Sequence, residues 1–345
     1  MTPDRPPRSP RIKDVANRAG VSTGTVSNVL NQPERVRDET AARVRRAIAE
    51  LGFVRDANAS SLASGRSHSV GLVVIQLANS LFVDAAQGAQ AAAREAGFNL
   101  LIADSDDDYA FQSANVDAFN EARAAGLLLA PMQDSSEQVR RFIRRGRPVV
   151  LVNYDPGDAS SCCVIVDNEQ AGYLAARHLA ERGCAKIAFL YVDDSMQPVV
   201  LRRKGVRRAM AELAGRVVYE EIAAPSLAQA EGAAAARAIC GRGPTTRPDG
   251  LIAVTDTLAV GVINELISRG VCVPGDIAVM GCDDNRLAPD CPITVSSVRM
   301  RGHEMGAAAM RLLIDEVKPT SGKHVHQRVV LEPVVVARMS TAPDS

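Results

Sequence analysis

Residues 12–31 read IKDVANRAGVSTGTVSNVLN, and their spacing decides how the amino-terminal end folds. Ile12, Val15, Ala16 and Ala19 recur at i, i+3, i+4 and i+7, which places four apolar side chains on one helical face. Gly20-Val21 breaks that pattern, since glycine takes the left-handed conformation that ends a helix at little cost. Ser22 is suited to cap a second helix over about 23–30, which would bury Val26, Val29 and Leu30. A third helix is expected from about Asp38, with Ala41, Val44, Ile48 and Leu51 inward and Gly52 as its stop. Two short helices around a glycine-containing turn, with a third across them, make an all-α helix-turn-helix headpiece over 11–52. Its second helix would carry Thr23, Gly24, Thr25, Ser27 and Asn28 outward, small and polar groups suited to a groove rather than a core.

Charge supports that reading. The 345 residues hold 40 Lys/Arg and 40 Asp/Glu, yet residues 1–67 hold 12 of the former and only 7 of the latter. A basic head on an acidic body suggests a polyanionic partner for the head alone. A helical bundle used for protein contacts is the ordinary alternative, but it gives this charge no role. Residues 1–10 are rich in Pro and read as a disordered tail. Residues 53–67, FVRDANASSLASGRS, are too short and polar to hold a helix unaided and read as a linker.

From Ser69 the pattern changes to apolar runs alternating with amphipathic helices. The runs include Val70–Leu77, Leu100–Ala103, Gly126–Ala130, Val149–Val152, Val164–Val166, Lys186–Leu190, Leu251–Val254 and Ile277–Met280. Apolar strands between helices imply parallel sheets covered on both faces, and there are enough of them for two α/β lobes over 68–345. The lobes are expected to be 68–166 plus about 299–328, and 167–298 plus the C-terminal strand. In such sheets ligands bind beyond the carboxyl ends of the strands. Asn79, Asp104, Asn153-Tyr154, Asp193-Asp194, Thr255-Asp256 and Asp283-Asp284 all follow strands, and together they would line a cleft for a hydroxyl- or amide-rich molecule. Taken singly, Asp256 reads as a helix N-cap.

Composition excludes several classes. Hydrophobic residues at 46% and charged ones at 23% describe an ordinary globular protein. No apolar run approaches the roughly 18–20 residues of a membrane span, and MTPDRPPRSP has no apolar stretch, so a cytoplasmic protein is expected. The seven cysteines form no C-x-x-C pair, the five histidines are scattered, and His303-Glu304 lacks a second ligand at helical spacing, so no metal or cofactor is expected. The run Asp104–Asp108 suggests a calcium loop, but Tyr109 and Asn115 stand where that loop needs Gly and Glu. No phosphate loop, nucleophile elbow or dinucleotide fingerprint follows a strand, which argues against an enzyme.

The segments Ile12-Lys13-Asp14-Val15-Ala16 and Val21 to Asn31 resemble the amino-terminal signature of the lactose-repressor/galactose-repressor (LacI/GalR) family, and the resemblance runs to about Arg338. It implies a periplasmic-binding-protein-like core of two lobes behind the headpiece. Function follows as an expectation: a DNA-binding transcriptional repressor controlled by a small-molecule effector. By the same resemblance Thr23, Gly24 and Asn28 occupy base-reading positions, while Thr25 and Ser27 suit phosphates. Residues 53–67 correspond to a hinge helix whose Leu62 would wedge into the minor groove. This hinge departs from the usual one at Arg55-Asp56 and Asn58, which predicts a less stable helix that leans on the dimer.

In the body, Val166-Asp167-Asn168 with Gly172 resembles the family's step where the chain crosses between lobes. By the same resemblance Arg202-x-x-Gly205 and Gly281-Cys282-Asp283-Asp284 imply Arg202 and Asp283 as effector contacts, with Asn79, Phe82, Asn153 and Thr255 expected beside them. Phe82 as simple core and Arg202 as a solvated face residue are the ordinary alternatives. The implied partners are a palindromic double-stranded operator, a carbohydrate (a purine or other metabolite second) and a second copy of the chain, with a tetramer as the larger alternative. A solute-binding protein or a sugar enzyme on the same body are the rival classes.

Overall fold

The computed structural model describes residues 10–53, 67–192, 196–243, 245–319 and 324–342. Leu62 with nearly all of the linker, Asp193-Asp194 and most of the expected tail lie outside these residues. Residues 1–67 and 68–345 form two compact units.

The first unit contains α1 (Ile12–Ala19), α2 (Thr23–Asn31) and α3 (Asp38–Leu51), with a single 3-10 turn at Pro33–Arg35. Gly20 and Gly52 end α1 and α3 in the left-handed conformation, at φ 64° and 61°. Ser22 caps α2, its hydroxyl accepting the Thr25 amide at 3.0 Å. Val15, Ala16, Val26, Val29, Ala41, Val44 and Ala47 pack as one apolar cluster. Two details differ from the sequence pattern. Ile12 opens α1 outside this cluster and is 36% exposed. On α3 Ala47 is fully buried while Ile48 and Leu51 are half-buried, because the inward face of so small a unit is narrow and small side chains reach its centre.

The body holds two six-stranded sheets. The first runs β11 (Arg328–Leu331), β5 (Cys162–Val166), β4 (Val149–Val152), β3 (Leu127–Leu129), β1 (Ser69–Val74), β2 (Asn99–Asp104), and all its pairs are parallel. Alternation splits its side chains into two buried layers. Val73, Leu127, Leu129, Val149 and Leu151 face one way, while Val70, Leu72, Leu128, Val150 and Val164 face the other. Both faces are covered, by α4 (Ser80–Glu95), α5 (Tyr109–Glu121), α6 (Ser136–Ile143) and α11 (Gly302–Val317), so the strands read as continuous apolar runs.

The second sheet runs β12 (Val334–Val336), β10 (Ser296–Arg299), β9 (Ala278–Asp283), β8 (Gly250–Ala253), β6 (Lys186–Tyr191), β7 (Val218–Ala223). Its helices are α7 (Asn168–Glu181), α8 (Gln197–Glu212), α9 (Gln229–Cys240) and α10 (Asp256–Ser268). Here β12 is antiparallel to β10, a departure from the expectation of parallel strands throughout. The chain crosses between lobes after β5, after β10 and after β11. The last crossing falls beyond Leu331 rather than near 328, because β11 pairs along β5 with Leu331 opposite Val166. Among the described residues, no helix is long and apolar enough to cross a membrane.

Candidate functional site

Two glycines set the geometry of the cleft. At Gly172 on α7 an added Cβ would land on the Arg202 carbonyl, and at Gly205 on α8 one would land on the Glu169 carbonyl. The two backbones therefore touch, and Arg202 emerges beside Asn168 at the start of α7. Its guanidinium is buried, and each of its three nitrogens donates. Nε donates to Asn168 Oδ1 at 3.0 Å, Nη1 to the Val254 carbonyl at 2.6 Å, and Nη2 to Asp283 Oδ1 at 3.0 Å.

The network continues into the facing lobe. Asn79 Nδ2 donates to Asp283 Oδ2 at 3.0 Å, while its Oδ1 caps α4 by accepting the Leu81 amide. Asn168 Nδ2 donates to Asn153 Oδ1 at 3.2 Å. Asn153, Asn168, Arg202, Asp283 and Asn79 thus form one hydrogen-bonded chain that passes from the first lobe to the second and back. Asn153 and Asp283 both have positive φ, 55° and 112°, a conformation rare for non-glycine residues and met at ligand sites. Burial pushes the Asp283 carboxyl up, and the Arg202 and Asn79 bonds pull it back. Arg202 stays charged, as guanidinium groups do in proteins.

Four of the six expected cleft residues, Asn79, Asn153, Arg202 and Asp283, belong to this chain. Thr255 stands next to it, following the Val254 carbonyl that Arg202 grips, and its own hydroxyl caps α10. Phe82 is 6% exposed and packs in the apolar core. Arg202 is not a solvated face residue, being 4% exposed. Asp256 is not the helix cap that its type suggests. It lies one residue inside α10, fully buried, accepting from the Ser297 hydroxyl at 2.6 Å and the Asn285 amide at 2.7 Å. Burial first, and the nearby Asp283 second, push its carboxyl well above the ordinary range. That bonding ties the segment after Asp283 to the start of α10 and to β10.

Sequence reading missed part of the site. Asn168 was marked only as a lobe crossing, although its place two residues after a strand was a usable signal. A second link between lobes had no local signal at all: Arg286 donates to Asp84 Oδ1 at 2.9 Å and Gln87 Oε1 at 2.8 Å, and its amide to the Ser80 hydroxyl at 2.9 Å. The acidic run at Asp104–Asp108 serves turns and caps: Asp104 accepts the Leu77 and Asp106 amides, and Asp108 caps α5. A cavity of about 410 Å³, lined by Asp155, Ser161, Cys163, His326 and Arg328 among others, lies against β5 and the start of β11 rather than over the polar chain. The histidines, read as scattered, are not all so: His324 and His326 meet Cys162 and Glu316 there, because β11 returns to the edge of β5.

In the headpiece Thr23, Gly24 and Asn28 are exposed on α2, opposite the buried Val26 and Val29. Thr25 and Ser27 are half-buried, and the Thr25 hydroxyl lies 2.9 Å from that of Ser22.

Residues 11–56 match the model of bacterial regulatory proteins of the lacI family, and residues 176–341 match that of a periplasmic binding protein-like domain. The chain is 30% identical to the ribose operon repressor of Escherichia coli (strain K12), over 95% of this chain and 99% of that one. It is 29% identical to the HTH-type transcriptional repressor PurR of Vibrio atlanticus (strain LGP32), over 95% and 97%. Among solved structures it resembles the transcriptional regulator CelR in complex with cellobiose, at 27% identity and a TM-score of 0.68, covering 96% of this chain and 99% of that one.

Proposed function

The chain belongs to the lacI family of bacterial regulatory proteins, and on that premise we propose that a carbohydrate held between the lobes controls how a homodimer of this DNA-binding transcriptional repressor grips its operator. The observation that carries the proposal is the buried Arg202–Asp283 pair, joined to Asn79 of the facing lobe. A guanidinium beside a carboxylate offers donors and acceptors at fixed spacing, which neighbouring hydroxyls can engage together. The amides of Asn79, Asn153 and Asn168 each add an accepting oxygen and a donating NH2 group. Phe82 is committed to the core and offers no face to a ligand. Paired hydroxyls match these donors and acceptors, so a sugar is favoured over a purine. The ribose repressor and the cellobiose complex are named for sugars, which supports the same reading.

A ligand entering here must exchange its hydroxyls for bonds the chain makes with itself. Its effect on DNA is linkage: it shifts the lobe arrangement only by its differential affinity for the two arrangements. The readout is the headpiece. Asn28 can pair bidentately with adenine, Thr23 stands at a base-reading position, Gly24 presents no side chain there, and Thr25 and Ser27 serve phosphates. Two headpieces on a dimer match two half-sites of a palindrome, with Leu62 as the minor-groove wedge. The cleft is read as a binding site, not a catalytic one.

A thermal-shift screen of the full chain against sugars, sugar phosphates, polyols, nucleosides and purines tests the reading. A ligand at a hundredfold excess over its Kd stabilises the folded state by about 2.7 kcal/mol. We expect a sugar to raise the Tm of the wild type but not of Asp283→Asn, and to change binding to a duplex from beside the protein's own gene. A purine response without a sugar response would overturn the carbohydrate assignment.

A further inference from the structure

We propose that Cys162, Glu316, His324 and His326 bind a tetrahedral divalent transition-metal ion, Zn2+ first, which fastens the edge strand β11 to the first lobe. Cys162 Sγ, a Glu316 carboxylate oxygen, His324 Nε2 and His326 Nδ1 all lie within 4.8 Å of one another. Sγ is 3.1 Å from His324 Nε2 and 3.8 Å from His326 Nδ1. Glu316 Oε2 is 3.6 Å from His324 Nε2 and 3.8 Å from His326 Nδ1. Zinc bonds of about 2.0–2.3 Å at tetrahedral angles put ligand atoms about 3.3–3.7 Å apart, so the observed spacings need changes of at most about 1.5 Å.

Donor type agrees with spacing. One sulfur, two imidazole nitrogens and one carboxylate oxygen suit zinc, whereas calcium or magnesium would call for oxygen alone. Three separate pieces of chain supply them: the first residue of β5, the last turn of α11, and the segment leading into β11. In that last segment His324 and His326 alternate with Val325, which is 75% exposed, so both rings turn inward. The rings meet edge to face, with centroids 5.4 Å apart.

A second observation points to a ligand. Glu316 Oε2 is buried and finds no hydrogen-bond donor among the described residues, a costly state for a carboxylate oxygen that a cation would relieve. The sulfur has the support typical of a bound thiolate, since the Gln327 amide donates to it at 3.2 Å. His326 also lines the cavity of about 410 Å³, which gives an ion a route from solvent. Two residues after His326, Arg328 begins β11 opposite Cys163 and its Nε reaches Asp155 at 2.7 Å. The site would therefore close a ring of contacts between Cys162 and His324, which are 162 positions apart.

The test uses the full-length protein, reduced and stripped with a chelator, then titrated with Co2+ and with Zn2+ against a chromophoric chelator. One ion per chain is expected, together with the visible bands of tetrahedral cobalt, a thiolate-to-cobalt charge-transfer band, and a rise in Tm. Outer-shell changes alone cost about 10–100-fold in affinity, so losing a ligand should cost more than about a hundredfold. Cys162→Ala should abolish the charge-transfer band, and the pair His324→Ala and His326→Ala should abolish binding. Glu316→Gln is the variant least disruptive to folding and should still weaken the site. Cys272→Ala, on the exposed surface of the other lobe, should change nothing. A stripped protein that takes up no ion, or a cobalt spectrum unaltered by Cys162→Ala and Glu316→Gln, overturns the proposal.

Discussion

Arg202 is held by three acceptors on three different segments, and each takes a different nitrogen of the planar guanidinium. Lysine carries the same charge at a single point and cannot serve all three. Arg202→Lys should therefore leave two buried acceptors unpaired, at about 1–3 kcal/mol each. We expect a lower urea midpoint and lost effector binding, while operator binding without effector is kept. An Arg202→Lys protein that binds effector normally would remove this residue from the cleft. At this scale the sequence was partly legible. Arg202 and Asp283 stood out because Arg202-x-x-Gly205 and Gly281-Cys282-Asp283-Asp284 resemble family motifs. Asp256 did not, because Asp-Thr after a strand looks the same whether the carboxylate caps a helix or, as here, accepts from Ser297 and Asn285.

At the scale of elements, the crossing of α7 and α8 is where packing meets function. Gly205 touches the Glu169 carbonyl, so a methyl group must push the helices apart. Gly205→Ala should cost about 1–3 kcal/mol by overpacking and should misplace Arg202, weakening effector binding more than its stability loss explains. Gly24→Ala is the contrast: an added Cβ meets only the Ser22 hydroxyl at 3.6 Å, so the fold should be unaffected. Denaturation midpoints of the two variants, set beside effector titrations, check the prediction. Central strands were legible as apolar runs because both of their faces are covered. Of the edge strands, β2 is legible through Leu100–Ala103, whereas β7 is not. β7 carries Glu220 and Glu221, whose carboxylates serve Arg242 and Arg203 rather than a core, so the run of apolar residues is broken. β11 and β12 are short and half-buried; β12 joins the second sheet, where the C-terminal strand is expected, whereas nothing local places β11 beside β5.

Across the whole molecule, the two lobes are tied by Asn79–Asp283 and by Arg286 to Asp84, Gln87 and Ser80. The Arg286 side chain is 53% exposed, so its removal should cost less than about 1 kcal/mol of stability. It should nonetheless disfavour the arrangement in which the lobes meet over a ligand. We expect Arg286→Ala to weaken effector binding about two- to tenfold, a coupling of up to about 1.4 kcal/mol, with the denaturation midpoint unchanged. Calorimetric titration of effector into both proteins checks this, and equal affinities would dismiss the latch. What the sequence determined by itself is the helical headpiece and the two-lobed α/β class, because helical period, caps and covered strands are written in neighbouring residues. Only the tertiary structure decided which polar groups meet. Arg202 finds Asp283 across 81 positions and Cys162 finds His324 across 162, because each pair is brought together by strand order and lobe crossing, which no local spacing encodes.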